Sequence, residues 1–381
     1  METEHELRSR LGSTPPDIPA FQPQVGDVLK RARTRRLRRY TGAGTAALLV
    51  LVGVGLPLAM LSSLGRESHR PISSPSPSVR AVFAATIPTP TGTVDVAVGD
   101  RAVWVSGFGR VARLDPVTDQ VVATVKTPGT EDFSQVAVGL GAVWITADGG
   151  VVYRIDPATN HVAATIRVGG VIQGIDTGGG YVWVTRPEGE VGDLVRVDPV
   201  TNRVAGRPIK VGPGPGAVLY AFGALWVTNT SPPSVVRVEP STGKVTFMRF
   251  TGLVAAGYGS LWAASGDTVI RVDPATGEPI ATVRVPRAEA VGVGEGRVWV
   301  AGPRSSNPTL FYPIKHTAAL WEIDPATNRI AGRPVYFDAL QPIAVAVGLG
   351  AAWVADYPQV SDGATITRFD LVTCQSSSCG S

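Results

Sequence analysis

Seven tryptophans recur along this chain in one local setting, an apolar residue before and Val, Ile or Ala after. They are Trp104, Trp144, Trp183, Trp226, Trp262, Trp299 and Trp353, spaced by 40, 39, 43, 36, 37 and 54 residues. Each is followed by a second marker, an Arg or Glu, an apolar residue and an acid. The series runs Arg113-Leu114-Asp115-Pro116, Arg154-Ile155-Asp156-Pro157, Arg196-Val197-Asp198-Pro199, Arg237-Val238-Glu239-Pro240, Arg271-Val272-Asp273-Pro274, Glu322-Ile323-Asp324-Pro325 and Arg368-Phe369-Asp370-Leu371. Two markers in strict alternation define a repeat of about 40 residues, the period of radially repeated β-sheets.

Each repeat reads as four short strands. Strand A is the apolar run before the Trp, such as residues 94–98 or 136–138. A Gly-containing turn leads to strand B, which carries the Trp, and strand C carries the Arg–apolar–Asp marker. The turn Asp156-Pro157-Ala158-Thr159-Asn160 leads to strand D at residues 162–168. There the carboxylate caps turn amides, Pro presets φ, and Asn or Gly accepts the left-handed position. Four strands per repeat make a propeller blade. The last repeat stops after its strand C at Asp370, while an orphan strand-D pattern, residues 82–87, precedes the first repeat. Pairing the two closes the ring and removes an open edge. The expected fold is all-β, a seven-bladed β-propeller over residues 81–371 with an N-terminal strand completing the last blade.

At this level the chain resembles the YVTN-type and streptogramin-lyase-like propellers. Strand B segments such as Leu225-Trp226-Val227-Thr228-Asn229 and the Asp-Pro-x-Thr-Asn/Gly turns carry the likeness. Such a resemblance implies the fold and says little about activity. The lyases use a face-positioned His with acidic metal-binding residues, and that constellation has no residue-by-residue match here.

The flanks set the compartment. Residues 1–40 hold nine Lys/Arg and five Asp/Glu out of totals of 35 and 31, so the rest of the chain carries 26 of each. The net charge of +4 belongs to this short basic segment, and the propeller offers no electrostatic footprint for nucleic acid. Residues 41–64 are free of charge, and as a helix they span roughly 36 Å, enough for a hydrocarbon core of about 30 Å. The Arg run before them predicts a signal-anchor helix with a cytoplasmic N-terminus and an extracytoplasmic propeller. Residues 65–80 form a Pro/Ser-rich linker. In the Ser/Cys tail, residues 372–381, Cys374 and Cys379 are placed to close a small disulfide loop.

Repeated residues are expected to serve the fold: the Trp set packs between sheets, the Asp set caps turns, and the Arg set lies on an exposed strand face or pairs locally. Function is expected where repeats differ. The B–C and D–A loops share one face, and the long departures fall there. The sixth blade inserts residues 302–317, with Arg304, Tyr312 and His316, and the seventh inserts residues 356–363, with Asp356 and Tyr357. The third blade offers Arg186 and Glu188, and the first D–A loop offers Glu131 and Asp132. These are the ligand-binding candidates, for an extracytoplasmic protein, glycan or small molecule. No cofactor is expected and no catalytic residue is assigned. The alternative is a lyase- or hydrolase-type enzyme, with a divalent metal possible, built around His316. Of the other three histidines, His5 and His69 fall in the flanks and His161 begins a strand D on the opposite face.

Overall fold

Each repeat folds as an antiparallel sheet in the order predicted. The computed structural model describes residues 78–89, 92, 95–128, 134–304, 317–339, 341–356 and 364–374. Blade 1 comprises Asp95–Val98, Val103–Gly107, Arg110–Leu114 and Val121–Lys126. Blade 2 comprises Val136–Gly139, Ala142–Ala147, Val151–Asp156 and His161–Arg167, and blades 3 to 6 repeat the pattern from Gly174, Pro215, Leu253 and Ala290. Blade 7 is composite: Pro342–Gly348, Ala351–Asp356 and Ala364–Cys374 are completed by the N-terminal strand Ser78–Thr89. That pairing runs from Thr89 opposite Ala364 to Ser78 opposite Cys374. The closing strand therefore begins inside the stretch read as linker, and strand C extends into the stretch read as tail. Backbone pairing favours this extension, because each strand satisfies donors and acceptors that the other would leave open.

The tryptophans do what repetition predicts. Among the described residues there are seven hydrophobic clusters, one at each blade interface, and each holds one of these indoles. Trp144 of blade 2 packs on Val182 and Val184 of blade 3, and Trp353 packs on Val96 and Val103, joining blade 7 to blade 1. All seven are at most 1 % exposed. In six blades the indole N–H donates to a carbonyl in the A–B turn, as from Trp144 to Gly139 at 3.0 Å, so a large apolar body is buried with its one polar atom satisfied. The strand-A glycines explain how closely blades approach. A β-carbon on Gly178 would collide with the Tyr220 ring of the next blade.

The repeated arginine is not a strand-face residue; it latches one blade to the next. Arg113 donates to Pro157 O at 2.8 Å and Asn160 Oδ1 at 2.9 Å, and Arg154 reaches Pro199 O and Asn202 Oδ1 in the same way. Arg271 does so with Pro325 and Asn328, and Arg368 closes the circle onto Asp119 at 2.7 Å. The acceptors Asn160, Asn202, Asn328 and Asp119 all sit at φ 55–58°, so one residue serves both the turn and the latch. Where the turn ends instead in Gly243 or Gly277, that acceptor is missing. Arg196 then bonds Ala205 O of its own blade, while the buried Nε of Arg237, like that of the latched Arg368, has no hydrogen-bond partner. Blade 6 replaces Arg by Glu322, which accepts from Arg297 at 2.7 Å on the neighbouring strand. Each guanidinium also lies over an aromatic ring of its own blade, as Arg113 over Trp104 at 5.5 Å.

Replacing Asn160 by Gly keeps the left-handed conformation and deletes only the acceptor. It is expected to cost about 1 kcal/mol, the worth of a partly exposed charge-assisted hydrogen bond. Asn160→Ala adds left-handed strain and is expected to cost about 2 kcal/mol. Urea midpoints of the three chains measure both, and a Gly variant indistinguishable from the parent would reduce the latch to an incidental contact.

Blades 3 and 6 share a feature that departs from the four-strand repeat. Their strand D is split, into Arg203–Val204 with Ile209–Gly212 and Arg329–Ile330 with Val335–Phe337. The same Ala-Gly-Arg-Pro sequence interrupts both, with Gly206 at φ 73° and Gly332 at φ 79°. A left-handed Gly followed by a Pro lacking N–H breaks the ladder at that point.

Candidate functional site

The B–C and D–A loops lie together on what is here called the upper face, and the A–B and C–D turns lie on the lower face. The stems of the two long insertions leave the upper face from adjacent blades, at Arg304 and Thr317 in blade 6 and at Asp356 and Ala364 in blade 7. The blade 6 stem is closed by Arg304 N–H donating to Thr317 O at 2.7 Å. The Arg304 guanidinium lies 4.2 Å from the centre of the Tyr336 ring. Asp356 accepts from Gln341 N–H at 2.8 Å, tying the seventh B–C loop to the loop that enters its own strand A. Tyr312, His316 and Tyr357, like Glu131 and Asp132, lie outside the described residues, as do Cys379 and residues 41–64, where the sequence predicts an anchor.

In blade 3 the sequence-predicted pair is spent on the loop itself. Arg186 grips Asp193 with two parallel bonds, Nε to Oδ1 at 2.8 Å and Nη2 to Oδ2 at 3.0 Å, and donates Nη1 to Val168 O at 2.9 Å. Asp193 is 8 % exposed and takes a second cation, Lys210, at 3.4 Å. Glu188 accepts from Val171 N–H at 2.9 Å and arches over the Gly169–Gly170 turn. Bidentate geometry of this kind fixes a loop's position, so both residues shape the upper face. Asp193 was overlooked in the sequence because it stands one strand away from its partner.

Two further carboxylates belong to the innermost strands. Asp95 accepts from Val96 N–H at 2.9 Å and, with its other oxygen, from Val136 N–H of blade 2 at 3.0 Å. Asp176 repeats this between blades 3 and 4, accepting from Thr177 N–H at 2.7 Å and Tyr220 N–H at 2.6 Å. Each carboxylate thus caps a free edge amide of the next blade. Burial pushes Asp95 up to about 7 and Asp176 up to about 6, against the opposing pull of the two backbone amides. Asp95 was visible in the sequence as a polar start to strand A. Asp176 was not singled out, although it stands opposite Trp183 where the other blades place Ala, Leu or Gly.

The sign of the pH effect follows. Unfolded, both carboxyls titrate near 3.8, so the ring favours their protonated forms and loses stability as pH rises from about 4 to about 7. The full cost of such shifts is roughly 1.4 kcal/mol per unit. Both residues are half-buried, so solvent screening reduces this to the order of a few kcal/mol for the pair. The turn aspartates Asp115, Asp156 and Asp198 are held below the usual range, chiefly by the backbone amides they accept from, and stay ionised above pH 5. Burial also raises the Glu322 carboxyl, so the part due to the inner-strand pair is read by comparing urea midpoints between pH 5 and 8 with and without Asp95→Ser/Asp176→Ser. The slope should fall in the double variant, and a slope left unchanged by it would assign it elsewhere.

One sizeable cleft, of about 690 Å³, opens on the lower face between blades 1 and 2, lined by Trp104, Arg113, Leu140 and Pro157. It lies on the face opposite the insertions. Among the described residues, no group of three or more His, Cys, Asp or Glu is arranged to hold a metal ion, and no helix is long and apolar enough to cross a membrane.

Structural comparison agrees with this geometry. Hydrazine synthase from Kuenenia stuttgartiensis superposes with a TM-score of 0.55 at 11 % identity, over 76 % of this chain and 97 % of that one. The likeness is one of fold. The computationally designed Ika8 protein gives 0.55 at 11 % identity over 74 % and 97 % of the two chains, and U3-55K gives 0.57 at 8 % over 77 % and 98 %. No protein-family model matches the chain, and no curated protein matches it. The resemblance to YVTN-type and streptogramin-lyase-like propellers is therefore supported as far as the seven-bladed fold.

Proposed function

We propose that this chain is a membrane-anchored, extracytoplasmic binding or scaffolding propeller whose ligand meets the upper face of blades 6 and 7. The observation that carries the reading is that the stems of the two long insertions leave one face from adjacent blades in a ring otherwise built from near-uniform units. Bonded loop stems on rigid blades are the usual setting for recognition loops. The charge-free segment at residues 41–64, behind its Arg run, supports the anchor. The YVTN-like and lyase-like sequence features are compatible with a binding role, and no lyase residue is carried over.

Two measurements test the reading. In cells carrying the full chain, externally added protease should remove the propeller, and alkaline carbonate should leave the N-terminal fragment in the membrane. Photo-crosslinking from positions 304 and 356 should capture a partner that is lost when residues 305–316 are deleted. Capture unaffected by the deletion would dismiss the upper face as the binding surface. Divalent-metal stabilisation of the chain that disappears in His316→Ala would replace this reading with the enzymatic one.

A further inference from the structure

The lower face carries large apolar side chains in a backbone conformation that does not suit them. The A–B turns of blades 2, 4, 5 and 7 place Leu140, Phe222, Tyr258 and Leu349 at φ 53°, 53°, 51° and 57°. Tight turns of this kind are least strained with Gly, Asn or Asp at the position; blade 3 has Gly179 there at φ 61°, and blade 6 has Glu295 at φ 51°. The four side chains are also 39–47 % exposed. Tyr258 has a part in folding, its hydroxyl accepting from Gly296 N–H of blade 6, but the side chains of Leu140, Phe222 and Leu349 bring no hydrogen bond to offset the strain and exposure they carry. Because these turns end the innermost strands, the four residues encircle the lower mouth of the channel.

The chain enters the ring from the same side. The closing strand Ser78–Thr89 runs antiparallel to Ala364–Cys374, which descends from the upper face, so Ser78, the first described residue, lies at the lower face. Residues 65–77 then separate the ring from the proposed anchor. Extended, these thirteen residues reach roughly 40 Å.

We propose that the ring of Leu140, Phe222, Tyr258 and Leu349 rests on the lipid surface of the membrane that holds the anchor. The inference depends on the anchored reading above. The contact is apolar: the chain after residue 40 has equal numbers of acidic and basic residues, and the caps Asp115, Asp156 and Asp198 on the same face oppose anionic headgroups. Aromatic and aliphatic side chains at this density suit the headgroup boundary of a zwitterionic bilayer. A short tether supplies a high local concentration, so a weak contact is enough. Docked this way, the lower face meets the bilayer and the insertion-bearing face points outward.

The test uses the full chain in phosphatidylcholine nanodiscs, with Cys374 and Cys379 changed to Ser and a protease site in residues 65–77. A reporter at Val200→Cys sits on a lower-face turn, 85 % exposed in the isolated propeller, and Val171→Cys, at 55 %, reports the upper face. A propeller docked about 80 % of the time should label with a membrane-impermeant maleimide roughly fivefold more slowly at position 200 than after linker cleavage. Position 171 should label equally in both. The Leu140→Asn/Phe222→Asn/Leu349→Asn chain suits the left-handed turns; it should keep or raise its unfolding midpoint while losing the protection. Equal labelling before and after cleavage, in a chain that stays with the disc, overturns docking and leaves the anchor standing. A fall in the midpoint of the Asn variant also overturns it, assigning the ring to packing within the propeller. Stronger protection on phosphatidylglycerol discs overturns the apolar contact, and a chain that does not stay with the disc overturns the anchor and the docking together.

Discussion

A chain that begins at residue 90 is expected to lose its cooperative unfolding transition, while a chain that begins at residue 71 keeps it. The closing strand completes blade 7 along its whole length, from Ser78 opposite Cys374 to Thr89 opposite Ala364. Without it, Ile366 and Phe369, both fully buried, face water along an unpaired edge. Phe369 also loses the edge-on ring of Phe83, leaving it the contact with Phe337 at 5.1 Å. Ile87 and Ala81, each 4 % exposed, are removed from the interfaces on either side of blade 7. Burial of side chains of this size contributes about 1.5–3 kcal/mol each. The losses at Ile366, Phe369 and Ile87, with the smaller one at Ala81 and a row of open amides, rival the 5–15 kcal/mol by which a domain is typically stable. A synthetic peptide of residues 78–89, added in trans, should restore the transition. If the shortened chain melts like the longer one, the ring is held by its blade interfaces alone.

The ring was legible in the sequence because its evidence is redundant. Trp104 and its six counterparts mark strand B, the Asp-Pro turns mark the end of strand C, and either series alone counts the blades. The orphan strand at residues 82–87 had one edge to fill, so the closure could be read as well. The Arg latch could not be read from the repeat alone. Arg113 and Asn160 stand 47 residues apart, and both residue types already had a local explanation, a strand face and a left-handed turn. The signal was present in the variation: the fifth turn position alternates between Asn or Asp and Gly, and the arginine's partner changes with it.

The candidate site was less legible for a related reason. Arg186 and Glu188 were conspicuous as charges in a long loop, but Asp193 and the Val171 amide were waiting for them one strand and one loop away. Charged loop residues satisfied by their neighbours define a surface without offering it to a ligand. Asp176 was inconspicuous because a single Asp in a strand offers no spacing to notice. Its role appears only when the free amide of Tyr220, on the next blade, is brought against it.

Trp299 and Trp321 give the sharpest contrast in the molecule, two tryptophans in one blade with different expected costs. Trp299 belongs to the repeated series, is fully buried, and packs on Ala352 and Val354 of blade 7 with its N–H on Gly294 O at 3.2 Å. Trp321 lies on strand C, pairs with Val300 and is only partly buried against the blade 5–6 cluster. Trp299→Ala should cost about 3–5 kcal/mol, since a closed ring cannot collapse around the cavity without moving both flanking sheets. Trp321→Ala should cost about 1 kcal/mol, because water already reaches part of the ring that is removed. Urea midpoints of the two variants measure the difference. Equal losses would mean that the tryptophans support the blade they sit in, and that the interface between blades is not where the ring draws its stability.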